Sequence, residues 1–286
     1  GAGFGAAIAM FVSGQLIERV GWRTTYFILA AVILILGAVP NFLLIRTPEQ
    51  KGLKPLGWEK QEKLEQKKDA STGLTLEEAK QTRTFKLWWV GILLISMLMT
   101  GFSSFAPTYF QEFGMTHVQS ANITSVTSLV GAVFIMTSGA IAEKFGTRIY
   151  ISYTLIAYIL GASLMVVFPN SGMVFTLLTV LFIALSGPAS NSFPPTITTV
   201  GFGTKDYTRI VAQFASANYL SKAIMPVFMG QIDRLTNSLR AGFIMQIVFA
   251  LAGLVLLLLG LKLAPKLEFS KQVDQQPTGK EGADNA

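Results

Sequence analysis

Residues 139–148, which read GAIAEKFGTR, form a short polar turn between two apolar stretches and decide the fold of this chain. A glycine such as Gly139 lets two helices approach closely, while Glu143 can pair with Lys144 or Arg148 across a short loop and cap helix ends. The flanking apolar stretches, 119–142 and 149–168, are each long enough to cross a bilayer, because about 20 helical residues span its core. The pattern predicts a tight, charged loop between two membrane-spanning helices.

Six further apolar stretches of membrane-spanning character lie outward from this turn, at 1–17, 24–45, 87–110, 173–198, 207–230 and 241–263. None alternates with a period of two, so a β-barrel is not indicated. An unpaired backbone N–H in hydrocarbon costs several kcal/mol, which leaves helices as the spanning structure. We therefore expect an all-α membrane protein with eight transmembrane helices.

The composition agrees with a membrane protein and excludes several function classes. Apolar residues make up 51% of the chain and charged residues only 14%, whereas soluble domains carry about a quarter charged residues. With no Cys and a single His, the chain has no thiolate metal site, no Cys nucleophile and no paired histidines. No buried acid pair or Ser-and-base constellation occurs in the spans either. We expect no enzyme activity, no cofactor and no metal.

The basic residues predict the orientation in the membrane. Of the 23 Lys and Arg residues, ten lie in 46–86, and eight more lie in the alternate connections and the tail on the same side. The loops on the other side carry only four. By the positive-inside rule, the 46–86 segment and the C-terminus are cytoplasmic. The net charge of +7 is thus a topological label rather than a sign of nucleic-acid binding.

The layout divides the chain into four parts. Residues 1–45 are expected to be the last two helices of an N-terminal bundle, 46–86 a cytoplasmic linker, 87–263 a six-helix bundle and 264–286 a disordered cytoplasmic tail. The linker has helix breakers at its start, a charge run at 59–69 and a capping box at Thr75 and Glu78. Trp88 and Trp89 are expected at the level of the lipid headgroups.

The turn quoted above resembles the signature loop of the major facilitator superfamily, with Glu143 where that family has Asp. A second copy of the pattern at 14–23 falls on the exterior side, where its Gly-Trp-Arg resembles the turn between the fifth and sixth helices. The eight spans then look like helices five to twelve of a twelve-helix carrier in which two six-helix bundles rock about a central site. By this resemblance the gating loop consists of Gly139, Glu143, Lys144, Gly146 and Arg148.

Three shorter stretches point to a subfamily. Residues 45–57, 74–79 and 217–223 resemble the oxalate/formate antiporter family and the related monocarboxylate carriers. In that family a lysine matching Lys222 contacts the substrate carboxylate, and Asn218 and Tyr219 are placed to donate hydrogen bonds to the same anion. The alternative is that Lys222 is a structural lysine, which either snorkels towards the membrane surface or is neutralised by burial.

Lys222 also stands out without any resemblance. It lies about 20 Å along its helix from Arg209, which places it near the middle of the bilayer, where a charge is costly and is by default a functional hypothesis. No Asp or Glu lies in the central part of any span, so a transported anion is the expected counter-ion. The second cation of the oxalate carriers, an arginine in the eighth helix, has no counterpart in 121–142, which favours a monoanion over oxalate.

Two further features of the spans bear on a substrate cavity. Phe105 and Tyr109 in the third span can wall a cavity for a small carboxylate. The sixth span breaks between Ser186 and Pro195, which indicates either a gate hinge or a packed kink.

Together these features predict a secondary transporter of small monocarboxylates such as formate, lactate or pyruvate, working by exchange or by proton symport. Its expected partners are a small organic anion and the lipid bilayer, with no nucleic acid, and its expected location is the cell membrane. The oligomeric state stays open. The alternatives are a carrier of another solute, with Lys222 structural, or a sensor or scaffold that transports nothing.

Overall fold

The fold comes from a computed structural model that describes residues 2–43, 73–169 and 172–265. These residues contain helices and no strand. In chain order the helices are α1 Ala2–Leu43, α2 Leu76–Gln81, α3 Arg83–Glu112, α4 His117–Phe145, α5 Thr147–Val167, α6 Met173–Leu185, α7 Pro188–Asn191, α8 Phe193–Phe202, α9 Tyr207–Thr236 and α10 Leu239–Leu263.

Side-chain caps mark the starts of several described helices. Thr75 begins α2 with the predicted capping box: its side chain accepts the N–H of Glu78, and the Glu78 carboxylate accepts the N–H of Thr75 at 2.7 Å. Thr116 and Gln119 form a second capping box at the start of α4. The hydroxyl of Ser238 caps α10 by accepting the N–H of Arg240 at 3.1 Å. These caps satisfy N–H groups that have no partner within the helix.

Five segments of the described helices are long and apolar enough to cross a membrane: Ile8–Ala38, Arg83–Glu112, His117–Phe145, Thr147–Val167 and Leu239–Leu263. The predicted first and second spans both fall in α1, which departs from helical geometry only at Gly21. The predicted sixth span is divided into α6, α7 and α8, and α6 is a shorter apolar helix. The predicted seventh span is α9, whose 30 residues are long enough but too polar to join the five.

The centre of the bundle is α3, which packs against α9 on one side and α10 on the other. The packing continues from α10 to α5, from α5 to α6 and from α6 to α4, and α1 packs against α4. Gly14 permits the last contact, because a side chain on Gly14 would collide with the Cβ of Ala121. The large buried side chains, among them Trp88 and Phe214, lie where α3 meets its neighbours.

A buried polar contact ties four helices together within this bundle. The Tyr158 hydroxyl on α5 donates to Oε1 of Gln246 on α10 and lies 3.3 Å from the Leu98 carbonyl on α3. The Gln246 amide in turn lies 3.6 Å from the sulfur of Met229 on α9. Tyr158 and Gln246 are fully buried, so this contact stabilises the six-helix bundle as a unit.

The predicted break in the sixth span is confirmed, and its contacts favour a packed kink over an open hinge. The chain leaves α6 at Ser186 and reaches α8 at Phe193, with the single turn of α7 between them. At Gly187 a side chain would lie 3.3 Å from the Cα of Gly131 on α4, so the two backbones touch there. Two facing glycines thus let α4 close against the break.

Three expectations from the sequence need correction or fall outside the described residues. Trp88 is completely buried inside the protein and therefore does not face the lipid headgroups. The predicted exterior loop 18–23 is helical except at Gly21. Within the predicted linker 46–86, residues 76–81 form α2 and residues 83–86 begin α3, and both helices pack in the bundle. The helix breakers and charge run of the linker in 46–72, and residues 266–286 of the predicted tail 264–286, lie outside the described residues.

Candidate functional site

The candidate site centres on Lys222, which lies on the exposed side of α9. Its ammonium sits 5.0 Å from the centre of the Tyr219 ring, one helical turn earlier. Tyr219 is itself 69% exposed. The contact between the Lys222 ammonium and the Tyr219 ring holds the lysine side chain along α9, at the protein surface, where a ligand can reach it.

The exposed surface of α9 has two edges of different character. One edge carries the large aliphatic side chains Leu220, Ile224 and Val227. The other edge carries small or polar residues: Ala215, Asn218 and Lys222. By contrast, the exposed side of α10 is aliphatic along its length, with Val248, Leu251, Val255 and Leu259. Lys222 therefore lies on the side of α9 that differs from a lipid-facing surface.

Among the described residues, no carboxylate pairs with Lys222. The described residues hold two ion pairs, and Arg209 makes both of them. Nor do those residues contain a cluster of three or more His, Asp or Glu side chains. Within the described structure, the ammonium of Lys222 therefore stays available to bind an anion.

The other two predicted polar contacts lie close to Lys222. Asn218 is half-buried on the polar edge of α9, and its backbone carbonyl accepts the Ser221 hydroxyl at 2.7 Å. Four residues beyond Lys222, Pro226 lacks the N–H that would bond the Lys222 carbonyl. The structure thus brings Asn218, Tyr219 and Lys222 together on consecutive turns of one helix.

The aromatic residues predicted on α3 are placed differently. Tyr109 is completely buried, and its hydroxyl donates to the Met165 carbonyl at 3.1 Å. Phe105 is half-buried and packs against the core. The role of these two residues as substrate contacts stays a prediction, and in this structure Tyr109 forms part of the bundle interior rather than a cavity wall.

The exposed side of the same part of α3 carries hydroxyl groups that the sequence interpretation missed. Ser103, Ser104 and Thr108 are all exposed, and we call them the α3 hydroxyl stripe. Pro107 lies among them and cannot donate to the Ser103 carbonyl. Thr108 lies four residues after Ser104 and five after Ser103, so the three hydroxyl groups share one face of α3. The more conspicuous aromatic residues between them hid this helical period in the sequence.

The hydroxyl groups of α4 have a different use. Those of Ser120, Ser125, Thr127 and Ser128 each donate to the carbonyl four residues earlier in the chain, at 2.7–3.0 Å. Such bonds satisfy the hydroxyls within the helix and leave them little capacity for a ligand. Since 121–142 contains no Lys or Arg, the central part of α4 also offers no second cation.

The predicted gating loop is reduced to one residue between two helices. Gly146 has φ 83° and ψ 153°, a conformation that is essentially restricted to glycine. Glu143, Lys144 and Arg148 are exposed, and none of them forms an ion pair in the described structure. Lys144 instead lies 5.5 Å from the Phe145 ring centre. A side chain on Gly139 would meet nothing within 4 Å.

The second copy of this motif adopts the same geometry. Gly21, in the position equivalent to Gly146, has φ 79° and ψ 162°. A single residue with nearly the same dihedral angles therefore joins α4 to α5 and the two halves of α1. The shared spacing of acid, base and glycine in the two copies thus accompanies one way of ending a helix and starting the next.

Residues 73–82 also dock onto the loop between α8 and α9, a contact that the sequence interpretation missed. The Leu74 N–H donates to the Phe202 carbonyl at 2.9 Å, and the Leu76 N–H donates to the Asp206 carboxylate at 3.0 Å. These partners are about 130 residues apart in the chain, so no local pattern announces the contact.

Comparison with known families gives one match. A family model described as the Major Facilitator Superfamily matches residues 1–221, which include α1, the bundle from α2 to α8 and α9 as far as Ser221. Among curated proteins no match is found.

Proposed function

Because the chain belongs to the Major Facilitator Superfamily, we propose that it transports small monocarboxylate anions by alternating access and that Lys222 binds the carboxylate. Membership of this family makes it a multi-pass membrane protein of a transporter superfamily. The substrate class and the residues below belong to the proposal.

The observation that carries the proposal is an exposed lysine near the middle of the 30-residue helix α9, with no carboxylate partner among the described residues. Lys222 is 15 residues from the start of α9 and 14 from its end. A charge at that depth is costly unless a counter-ion accompanies it. The polar edge of α9 and the absence of an acidic partner both support a carboxylate as that counter-ion.

This arrangement couples movement of the protein to the anion. With the site empty, closing the bundles over Lys222 buries an uncompensated ammonium, whereas an occupied site presents a neutral pair. The empty carrier therefore reorients slowly and the loaded carrier reorients readily. Exchange of one anion for another follows directly, and symport requires a proton acceptor from elsewhere in the protein.

A single cation supports a monoanion. No Lys or Arg lies in 121–142 of α4, so the described part of the site offers one positive charge. Formate, lactate and pyruvate each carry one negative charge, whereas oxalate carries two. In the α3 hydroxyl stripe Ser103 donates to the Thr100 carbonyl at 3.2 Å. Ser104 and Thr108 offer hydroxyl groups on the helix that packs against α9, and these suit the remaining oxygen atoms of a hydroxy or keto acid.

The rest of the proposal concerns the surroundings of the site. We assign residues 1–45 to the end of an N-terminal bundle and 87–263 to the C-terminal bundle, with the C-terminus on the cytoplasmic side of the cell membrane. Gly139, Glu143, Lys144, Gly146 and Arg148 form the gating loop, whose exposed charges are available to a partner bundle. Asn218 and Tyr219 assist Lys222.

The test is uptake of labelled formate, lactate and pyruvate by the full-length protein in proteoliposomes. Lys222→Ala should abolish uptake of each transported acid, and Lys222→Arg should retain part of it, because the charge remains but the geometry changes. Lys262→Ala, which removes an exposed lysine in the last turn of α10, is the matched control and should transport normally. Normal uptake by Lys222→Ala would refute the proposal.

Thiol protection gives independent evidence, because these 286 residues contain no Cys. Lys222→Cys, in a full-length background free of other Cys, should react with a water-soluble methanethiosulfonate. With Lys222 intact, saturating substrate should slow the reaction of Asn218→Cys. In Lys222→Cys the substrate should slow the reaction if that variant still binds it. Reaction at Asn218→Cys that ignores every carboxylate tested would count against a substrate site here.

A further inference from the structure

The segment before α3 is fastened to the cytoplasmic start of α9 by backbone contacts. Gly73 and Gly203 form an isolated antiparallel bridge, and the Leu74 N–H donates to the Phe202 carbonyl at 2.9 Å. A side chain on Gly73 would collide with that carbonyl, so the approach depends on glycine. These contacts bring α2 against the residue range 202–206.

Charged side chains extend the contact to α9 itself. The half-buried Asp206 carboxylate accepts the Leu76 N–H at 3.0 Å and lies 3.3 Å from Nη1 of Arg209. Nη2 of Arg209 lies 3.6 Å from the Glu77 carboxylate. Arg209 thus stands between an acid on α2 and an acid at the start of α9.

We propose that Glu77, Asp206 and Arg209 are positioning residues: they form a latch that fixes the start of α9 against α2 and thereby sets the depth and rotation of Lys222. The inference rests on the proposed role of Lys222. The three latch residues do not contact the substrate in this proposal. It also requires that α2 moves with the C-terminal bundle throughout transport.

A stiff helix transmits the constraint. Arg209 and Lys222 are 13 residues apart, about 20 Å along α9. The helix has no proline between them, since Pro226 lies beyond Lys222. A rotation of α9 about its axis at Arg209 therefore turns Lys222 by nearly the same angle.

An ordinary surface ion pair is the competing explanation. Arg209 and Glu77 have side chains that are 61% and 68% exposed, and pairs of that kind contribute little to stability. Two observations favour a positioning role instead. Asp206 is only 24% exposed and bonds a backbone N–H as well as Arg209. The contacts also converge on α9, the helix that carries Lys222.

The experiment measures the reaction rate of Lys222→Cys with a cationic methanethiosulfonate, in the full-length protein free of other Cys. Asp206→Ala removes both contacts of the carboxylate, and Glu77→Gln is the milder variant for which misfolding is not expected. Each should change the reaction rate by at least about twofold, the size of a weak ion-pair contribution. Lys80→Ala, on α2 but outside the latch, should leave the rate unchanged.

Transport is read separately. With Lys222 intact, Asp206→Ala and Glu77→Gln should raise the KM for uptake by about two- to fivefold, with a smaller change in maximal rate, because the site is displaced rather than removed. Unchanged thiol reactivity in both variants would overturn the latch whatever the uptake shows. A changed reactivity with unchanged uptake would keep the latch and count against Lys222 as the anion site.

Discussion

The indole of Trp88 occupies the space that a side chain on Gly260 would need, and its Nε1 donates to the Leu257 carbonyl at 3.1 Å. Gly201 gives room to the same ring from the side of α8. A bulky residue at the start of α3 is thus held between two glycines that lie near the ends of other helices. This explains why Trp88 is buried in the bundle and not placed at the lipid surface.

The space between Gly201 and Gly260 that holds the Trp88 ring is called the glycine notch here, and filling it should destabilise the bundle. Gly260→Val would force the rigid indole to move, and overpacking of this kind costs about 1–3 kcal/mol. The expected result is a lower midpoint of thermal unfolding for the purified protein in detergent. Gly230→Ala is the control, since a side chain there meets nothing within 4 Å. Equal midpoints for the two variants would contradict the observed packing.

The two glycines of the gating loop should respond in opposite directions to alanine. Gly146→Ala places a side chain in a conformation open only to glycine and should cost about 1–3 kcal/mol. Gly139→Ala lies within helix α4 in open space and should be neutral or stabilising by up to about 1 kcal/mol. Unfolding in mixed micelles measures both changes. If Gly139→Ala is destabilised, a neighbouring helix does approach Gly139 closely, as the sequence predicted.

The Tyr158 and Gln246 side chains should be energetically coupled. Tyr158→Phe and Gln246→Leu each remove one partner of a buried hydrogen bond and strand the other, whereas the double variant removes both. The double variant should therefore lose less stability than the sum of the single losses, by about 0.5–2 kcal/mol. Unfolding of all four proteins in mixed micelles completes the cycle. Strict additivity would show that the contact contributes nothing.

The α3 hydroxyl stripe should be reached by water. Ser104→Cys should react with a charged methanethiosulfonate, because small hydroxyl residues on an exposed face indicate a hydrated surface. Two controls bracket it: Phe102→Cys is buried in the core, and Val248→Cys lies on the aliphatic side of α10. Both should react slowly. If Ser104→Cys reacts no faster than Val248→Cys, the stripe faces lipid and not a cavity.

Much of the fold was accessible from the sequence because it depends on local chemistry. The apolar stretches gave the helices, the Thr75 capping box and the break at Ser186 are present where predicted, and the motif glycine at 146 ends a helix. Each feature is set by residues within one or two helical turns, so spacing alone was enough to find it.

The inward and outward faces were harder to assign. Aromatic residues of α3 were predicted to wall a cavity, yet Tyr109 is in the core and Ser103, Ser104 and Thr108 are exposed. In a membrane protein the lipid side and the core are both apolar, so hydrophobic periodicity does not distinguish them. Trp88 was misplaced for the same reason.

The sequence by itself therefore determined that this chain is a helical membrane protein, where its helices start and break, and that Lys222 is an isolated cation in a span. The tertiary structure alone decided that Lys222 lies on the polar edge of α9, that Trp88 fills the glycine notch, and that Asp206 bonds the Leu76 N–H across about 130 residues. The division has a physical cause. Burial in lipid and backbone hydrogen bonding act on neighbouring residues, whereas the contacts that orient a site join segments that only the folded chain brings together.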